Sequence, residues 1–337
     1  MQSNKYCILT SFIVFFVFSG CSDSDKFCEE APNVTDVEIE IPLNDLTGKM
    51  VSLKSEEGAI QFIENNPFVA DYFFERRRYT ADSVVVNSMV NIFSSPAYKD
   101  TLYQQVRNTF GDFNSLQVDF ERAFKFYKHY YPDVVVPELE IVLAGLQKDL
   151  FVSDSLISIA ADYFLGPDAA YGPNGVPDYI LMRYQKEYIV PMTMLLLTQK
   201  RNKTDRSDQS LLADMIFYGK SYYMTKMTIP CTPDSLIIGY TAKEIADINK
   251  NEHIIWANFL ENDLLYETSH FMKNKFIGER PKTFEISQQC PGRIGIWVGW
   301  QIVKSYMANN PEVSVQELME NTDAQQMFGK AKYKPKG

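Results

Sequence analysis

Histidine is the side chain best suited to acid–base catalysis or metal binding near neutral pH. The three histidines of this chain, His129, His253 and His270, stand apart, with no HExxH or HxH spacing and no cysteine beside them. A zinc site needs several donors in a compact set, and a catalytic base needs a partner that orients it. We therefore expect structural histidines and no metal held by them.

Other catalytic signatures are missing from the sequence. It contains no GxSxG nucleophile elbow, no Walker A loop, no GxGxxG dinucleotide loop and no EF-hand loop. These absences predict a chain without a resident cofactor and leave no catalytic residue to name.

The segment DMIFYGK at residues 214–220 is a possible polar constellation. On a helix, Asp214 and Tyr218 lie one turn apart at i and i+4, and Lys220 follows less closely at i+6. Buried polar groups of this kind need hydrogen-bond partners. We favour a structural hydrogen-bond network here over a ligand pocket.

The most distinctive segment is CPGRIGIWVGW at residues 290–300. It carries three glycines near one helical face and two tryptophans three residues apart: Gly292, Gly295, Gly299, Trp297 and Trp300. Glycines on one face permit close backbone approach. Arg293 then has two interpretations. It receives an anionic group together with the helix N-terminus, or it forms an ion pair within closely packed helices, which is the interpretation we favour.

The N-terminus has the anatomy of an export signal. Lys5 is followed by the apolar residues 8–18, a run too short to span a bilayer and typical of a signal peptide. Ser19 and Gly20 directly before Cys21 resemble the lipobox of bacterial lipoproteins. This resemblance implies that residues 1–20 are removed and that Cys21 carries lipid. The alternative is an ordinary secretory signal cleaved near Gly20.

Residues 21–35 are expected to form the lipidated N-terminus and a polar tether, and residues 36–337 a single domain. No later segment reaches membrane-spanning length, so lipid would be the sole anchor. We expect a membrane-anchored lipoprotein of the cell envelope that faces the periplasm, with the cell surface as the alternative. Disulfides form outside the cytoplasm, and Cys28, Cys231 and Cys290 permit one pair. We predict the Cys231–Cys290 pair, with buried free thiols as the alternative.

Composition bounds the class of protein. The 337 residues are 45% hydrophobic and 14% aromatic, which is enough for a sizeable core. The 33 Lys and Arg against 43 Asp and Glu give a net charge of −10, with the acidic residues spread along the chain. Such a surface does not neutralise phosphates, so we expect no nucleic-acid partner.

Hydrophobic spacing predicts mostly helices. The helical segments are 57–78 with a break at 65–67, 82–93, 98–110, 115–130, 179–200, 210–227, 241–265, 293–308 and 313–321. The strand candidates are 37–43, 134–136, 139–143 and 151–160. These elements predict an α+β fold that is predominantly α-helical, with a small β-sheet.

The chain resembles the gliding motility lipoprotein GldB family of Bacteroidetes. The resemblance rests on the lipobox at Cys21 and on DMIFYGK at 214–220, IGYT at 238–241, PGRIG at 291–295, GWQIVKSYM at 299–307 and KYKP at 332–335, in the family's order. It implies a component of the gliding machinery that accompanies type IX secretion, with other proteins of that machinery as partners. The family has no established enzymatic activity.

The family also resembles predicted zinc-dependent proteases with a zincin-like helical domain. At the position of their HExxH motif this chain reads KEYIV at 186–190, which keeps Glu187 but neither histidine, and Tyr218 stands where a later glutamate is expected. The resemblance implies a degenerate, non-enzymatic scaffold with a relic or partner-binding cleft. Its candidate residues are Glu187, Asp214, Tyr218, Lys220, Arg293, Trp297 and Trp300. The alternatives are a metal-dependent peptidase or hydrolase that uses Glu187, and a small-ligand binding module near Arg293.

Overall fold

The computed structural model describes residues 23–336. Helices α1 to α17, in chain order, are Asp23–Glu29, Thr47–Val51, Glu56–Asn65, Pro67–Tyr72, Ser83–Ser94, Tyr103–Phe110, Asn114–Tyr130, Asp178–Leu181, Lys186–Gln199, Leu211–Thr228, Asp234–Ile238, Ala242–Lys250, Glu252–Glu261, His270–Ile277, Ile294–Asn309, Val315–Glu320 and Ala324–Ala331. Strands β1 to β4 are Leu43–Asp45, Glu138–Val142, Leu150–Val152 and Leu156–Ala160. The prediction of a predominantly helical α+β fold with a small sheet is confirmed.

The four strands form one mixed sheet in the order β1-β2-β4-β3. Strands β1, β2 and β4 run parallel, and β3 pairs antiparallel with β4 at the edge. In each of the central strands β2 and β4, four of the five residues are buried, as expected where helices cover a parallel sheet. The buried polar pair on these strands is satisfied internally, because the Ser158 hydroxyl donates to the Glu140 carboxylate at 2.8 Å.

Helix α10 lies at the centre of the helical part and packs against α7, α9, α15 and α17. The sequence predicts an amphipathic helix here, but 14 of its 18 residues are buried. A helix covered on nearly all sides shows no single apolar stripe. Lysines, serines and threonines on it are therefore buried as well, and each needs a partner.

The strand predicted at 37–43 is wrong, because the first strand begins only at Leu43. Side chains of α7 take the hydrogen bonds that a strand would make: the Ile41 amide donates to Glu121 and the Ile41 carbonyl accepts from Gln117. The strand predicted at 134–136 is also wrong, since Val134 closes a turn onto Tyr131.

The strand predicted at 151–160 is a hairpin. Ser153 turns the chain between β3 and β4, where its hydroxyl accepts from the Leu156 amide. Likewise, the helix predicted at 179–200 is divided into α8 and α9, and the one predicted at 241–265 into α12 and α13 with a short 3₁₀ turn after α13.

The predicted Cys231–Cys290 disulfide is wrong, because Cys231 is bonded to Cys28, with the two Cα atoms 4.5 Å apart. The bond joins α1 to the loop before α11 across 203 residues of sequence. Cys290 is a buried free thiol, and burial raises its pKa to about 12. Three cysteines permit three pairings, and spacing along the chain does not show which two approach in space.

The predicted signal peptide and the lipid-bearing Cys21 lie outside the described residues. Within residues 23–336, no helix combines the length and the apolar character needed to cross a bilayer.

Candidate functional site

An open cleft of about 310 Å³ between α7 and α9 contains Glu187. Its apolar lining residues are Phe110, Leu116, Ala123, Phe126, Val190, Pro191, Ile229, Pro230, Pro233 and Leu236. Its charged lining residues are Asp119 and Arg122 on α7 and Lys186 and Glu187 on α9, all four exposed. We call this site the α7–α9 cleft. An apolar lining with a few charged groups is the usual character of a binding site.

The chain before α9 fixes where the first turn of this helix begins. Leu165 and Gln185 form a β-bridge, and the Gly166 amide donates to the Tyr184 carbonyl at 2.8 Å. Gly166 has a φ of +78°, and a Cβ at this position would overlap the Gln185 side chain. Only glycine combines this backbone conformation with such a close approach. The bridge at Gln185 therefore fixes the position at which α9 begins, with Lys186 as its first residue.

Glu187 lies in the first turn of α9, where the positive end of the helix dipole favours a carboxylate. The neighbouring Lys186 ammonium reaches the Thr109 carbonyl at 3.4 Å, so it bridges α9 and α6 at one end of the cleft. Two charges of opposite sign thus stand side by side on α9, and Asp119 and Arg122 form a second such pair on α7, 3.8 Å apart.

The cleft does not fit the zinc ion that the zincin resemblance suggests. Lys186, Glu187 and Val190 all line it. Lys186 and Val190 occupy the positions of the two histidines of HExxH, and neither a protonated ammonium nor an aliphatic side chain can bind zinc. Tyr218 lies ten residues before Thr228, the α10 residue that lines the cleft, or about 15 Å along the helix. In the part of the chain that the structure describes, no group of three or more His, Cys, Asp or Glu side chains is arranged to hold a metal.

Asp214 also lies away from the cleft. It precedes Thr228 by 14 residues, which places it about 21 Å away along α10. Its carboxylate pairs with the Lys273 ammonium of α14 at 2.7 Å. Burial, and secondarily the charge of Asp214, raise the pKa of the half-buried Tyr218. Asp214 and Tyr218 therefore do not share a site with Glu187.

Lys220 is fully buried, and its ammonium donates to three carbonyl oxygens: Lys203 at 2.7 Å, Met319 at 3.2 Å and Asn321 at 2.6 Å. An ammonium has three protons, so all of its donors are used. Burial lowers the pKa of Lys220 to about 8. This is the structural network that the sequence favours for Lys220, and it joins α10 to the end of α16.

Arg293 lines a separate depression of about 150 Å³. Its guanidinium donates to the Ile238 carbonyl at 2.7 Å and lies 3.6 Å from the Glu279 carboxylate. The same carboxylate pairs with Arg183 at 2.9 Å. Arg293 thus forms the ion pair that the sequence analysis favours over a free anion site.

Both tryptophans are buried in the helical core. The Trp300 ring lies 5.6 Å from that of Tyr222 on α10, and the Lys304 ammonium lies 4.6 Å from the Trp300 ring centroid. Trp297 is 2% exposed. Trp300 therefore belongs to the α10–α15 interface. Of the seven candidate residues, only Glu187 lines the α7–α9 cleft.

Sequence reasoning missed the other wall of the cleft. Asp119 and Arg122 border the apolar stripe of α7, whose residues Leu116 and Ala123 line the same cleft. The proline-rich residues 230–233 form the third side, and they include Cys231 of the disulfide. The available signal was a turn-forming PCTP segment between two helices, which predicts a loop but not which helices it meets.

Comparison with known proteins finds one related family. Residues 27–335 match the family described as Gliding motility protein GldB. No curated protein and no solved structure matches the chain. The match covers almost all of the described residues, including both helices that border the α7–α9 cleft. The chain therefore belongs to the gliding motility protein GldB family.

Proposed function

We propose that this protein is a lipid-anchored, non-enzymatic component of the gliding machinery that accompanies type IX secretion. Membership of the GldB family is the observation that carries this proposal. The lipid-bearing residue is Cys21, six residues before the family match begins, and the domain faces the periplasm. Its role is to bind other proteins of the machinery.

The α7–α9 cleft is the proposed partner-binding site. It is open, its lining is mostly apolar, and its four charged residues carry both signs. A partner segment with an apolar side chain between charged residues would match this surface. We further propose that the cleft is the relic of a metal-dependent active site, in which Lys186 and Val190 replace metal ligands beside Glu187 and the surface now serves binding.

The anchor is tested by Cys21→Ser in cells. We expect the variant to leave the membrane fraction, because a lipid-free chain has lost its only anchor. Cys7→Ser is the matched control, since it changes a cysteine within residues 1–20, which are removed during maturation. Membrane retention of Cys21→Ser, with no lipid on residue 21 by mass spectrometry, would refute the anchor.

The cleft is tested by reversing its positive charges with Arg122→Glu and Lys186→Glu together. The variant is expressed in a gliding bacterium that lacks its own family member, and colony spreading and protein secretion are measured. We expect loss of both at normal protein level, whereas Lys250→Glu, an exposed lysine outside the cleft, retains them. Full activity of the double variant would exclude the cleft as the partner site.

The non-enzymatic assignment is tested by elemental analysis of the mature domain purified without chelator. We expect no stoichiometric metal and no peptide hydrolysis. Near-stoichiometric zinc that is lost in Glu187→Ala would instead establish a metal-dependent hydrolase.

A further inference from the structure

The N-terminal helix α1 is fastened beside the α7–α9 cleft. Cys28 of α1 is bonded to Cys231, and Cys231 is itself a lining residue of the cleft. Phe27 adds a non-covalent contact, because its ring packs edge-on against Tyr223 of α10 with the centroids 5.8 Å apart. The ammonium of Lys226 lies 5.7 Å from the same ring. The chain thus leaves the domain at the cleft.

Covalent geometry limits how far the anchor can be from this point. Cys21 precedes Cys28 by seven residues, which span at most about 25 Å when fully extended. Helix α1 begins at Asp23, so with that helix intact the span is about 15 Å. Adding the 4.5 Å across the disulfide places Cys231 within about 30 Å of the lipid-bearing residue in every case.

The disulfide makes this tether short. Beyond Cys28, the next fully buried position is Ile41, 20 residues after Cys21. Without the bond and the contacts of α1, the tether would therefore extend to about 70 Å. A domain of about 310 residues is about 50 Å across, so the longer tether permits any face to meet the bilayer, while the shorter one does not.

We infer that the Cys28–Cys231 disulfide holds the α7–α9 cleft on the membrane-facing side of the anchored protein, where it meets a membrane-bound partner protein. This inference rests on the proposed lipid at Cys21. A segment that occupies the cleft must then lie within about 30 Å of the bilayer surface. Its chemistry is an apolar side chain flanked by charges of both signs, which complement Asp119 with Arg122 and Lys186 with Glu187.

Orientation is measured by energy transfer from a fluorophore on the full lipidated protein to acceptor-labelled lipids in phosphatidylethanolamine–phosphatidylglycerol vesicles. The cleft probe is placed at Asp119→Cys. The control probe is placed at His270→Cys, the exposed first residue of α14, whose Lys273 pairs with Asp214 at the far end of α10. We expect greater transfer from the cleft probe.

Two variants test the role of the tether. Cys28→Ser with Cys231→Ser removes the disulfide, and we expect the difference between the two probes to be lost. A rigid helical linker of 30 residues inserted between residues 22 and 23 keeps the disulfide and adds about 45 Å, so transfer should fall for both probes. If the serine variant folds poorly, the linker variant still tests whether the short tether sets the distance between the domain and the bilayer.

The same linker tests the class of partner in cells. A membrane-bound partner is out of reach of a cleft moved outward by about 45 Å, so colony spreading and secretion should be lost although the protein stays in the membrane fraction. Full activity with the linker would overturn the membrane-bound partner and favour a freely diffusing one.

The remaining outcomes separate the two proposals. Failure of the wild-type protein to float with vesicles overturns the lipid anchor, and this inference with it. A protein that floats but shows equal transfer from both probes overturns only the orientation.

Discussion

Gly219 of α10 and Gly299 of α15 face each other where these two helices cross. A Cβ on Gly299 would overlap the Met215 carbonyl oxygen, and a Cβ on Gly219 would overlap the carbonyl of Gly299 itself. The overlapping atoms belong to the backbone, which cannot change rotamer to relieve the overlap as a flexible side chain can. The separation of the two central helices therefore depends on the absence of two methyl groups.

We predict that Gly299→Ala lowers the free energy of unfolding by at least about 2 kcal/mol, because the helices must move apart. Gly329→Ala is the matched control. It also lies in a helix, α17, but a Cβ there meets no atom within 4 Å, so helix propensity should stabilise the protein by about 0.5–1 kcal/mol. Urea unfolding followed by tryptophan fluorescence measures both. Equal effects would refute the close crossing.

Removing the disulfide with Cys28→Ser and Cys231→Ser should destabilise the domain by about 2–4 kcal/mol, because the bond closes a loop of 203 residues in the unfolded chain. Thermal unfolding with and without reductant provides the control. Wild type should lose stability on reduction, and the variant should not respond. A wild-type protein that is indifferent to reductant would contradict the pairing.

Lys220 should make stability depend on pH. Its pKa is about 8 when folded and returns to its ordinary value near 10.4 when unfolded, so between these values the unfolded chain binds more protons. The free energy of unfolding of wild type relative to Lys220→Met should therefore rise between pH 8 and 10, by up to about 3 kcal/mol. This gain in the stability of wild type is lost as the pH falls through 8, the pKa of Lys220 in the folded protein.

Chemical denaturation across this pH range measures the difference between wild type and Lys220→Met. The exposed Lys250→Met serves as control and should show a flat difference. At neutral pH Lys220→Met itself should be destabilising, because three carbonyl oxygens lose their donor. If the difference in free energy of unfolding between wild type and Lys220→Met did not change with pH, the Lys220 ammonium would not be desolvated in the folded protein.

Asp162 is a buried carboxyl just after β4 that fixes the loop between β2 and β3. It accepts from the Tyr98 hydroxyl at 2.6 Å and from the amides of Ala144 and Leu146 at 3.0 and 3.1 Å. Burial raises its pKa, while these hydrogen bonds act in the opposite direction. Because the Asp162 carboxylate is enclosed and both of its oxygens accept hydrogen bonds from the protein, its raised pKa indicates a structural role.

We predict that Asp162→Ala costs about 3 kcal/mol or more, since two buried donors, the Tyr98 hydroxyl and the Ala144 amide, and the half-buried Leu146 amide are left without an acceptor. Asp162→Asn keeps one acceptor oxygen and should cost less. The melting temperatures of the two variants decide this, and equal losses would show that the hydrogen bonds at Asp162 contribute little.

The local periodicity of the sequence determined which faces of several helices are buried. The apolar stripe of α7, with Leu116, Phe120 and Phe124, is buried as its spacing predicts. The GxxGxxxG spacing before and within α15 predicts a close helix contact, and Gly299 makes one. Both properties follow from neighbours three or four residues apart, which a helix brings together whatever the rest of the chain does.

Only the tertiary structure decided the contacts between distant segments. Cys28 pairs with Cys231, Gln117 takes the carbonyl that a strand at Ile41 would have used, and Lys220 finds its acceptors up to 101 residues away. The two walls of the α7–α9 cleft come together in the same way. Spacing along a sequence carries no information about such meetings, because they depend on how the helices pack around a shared core.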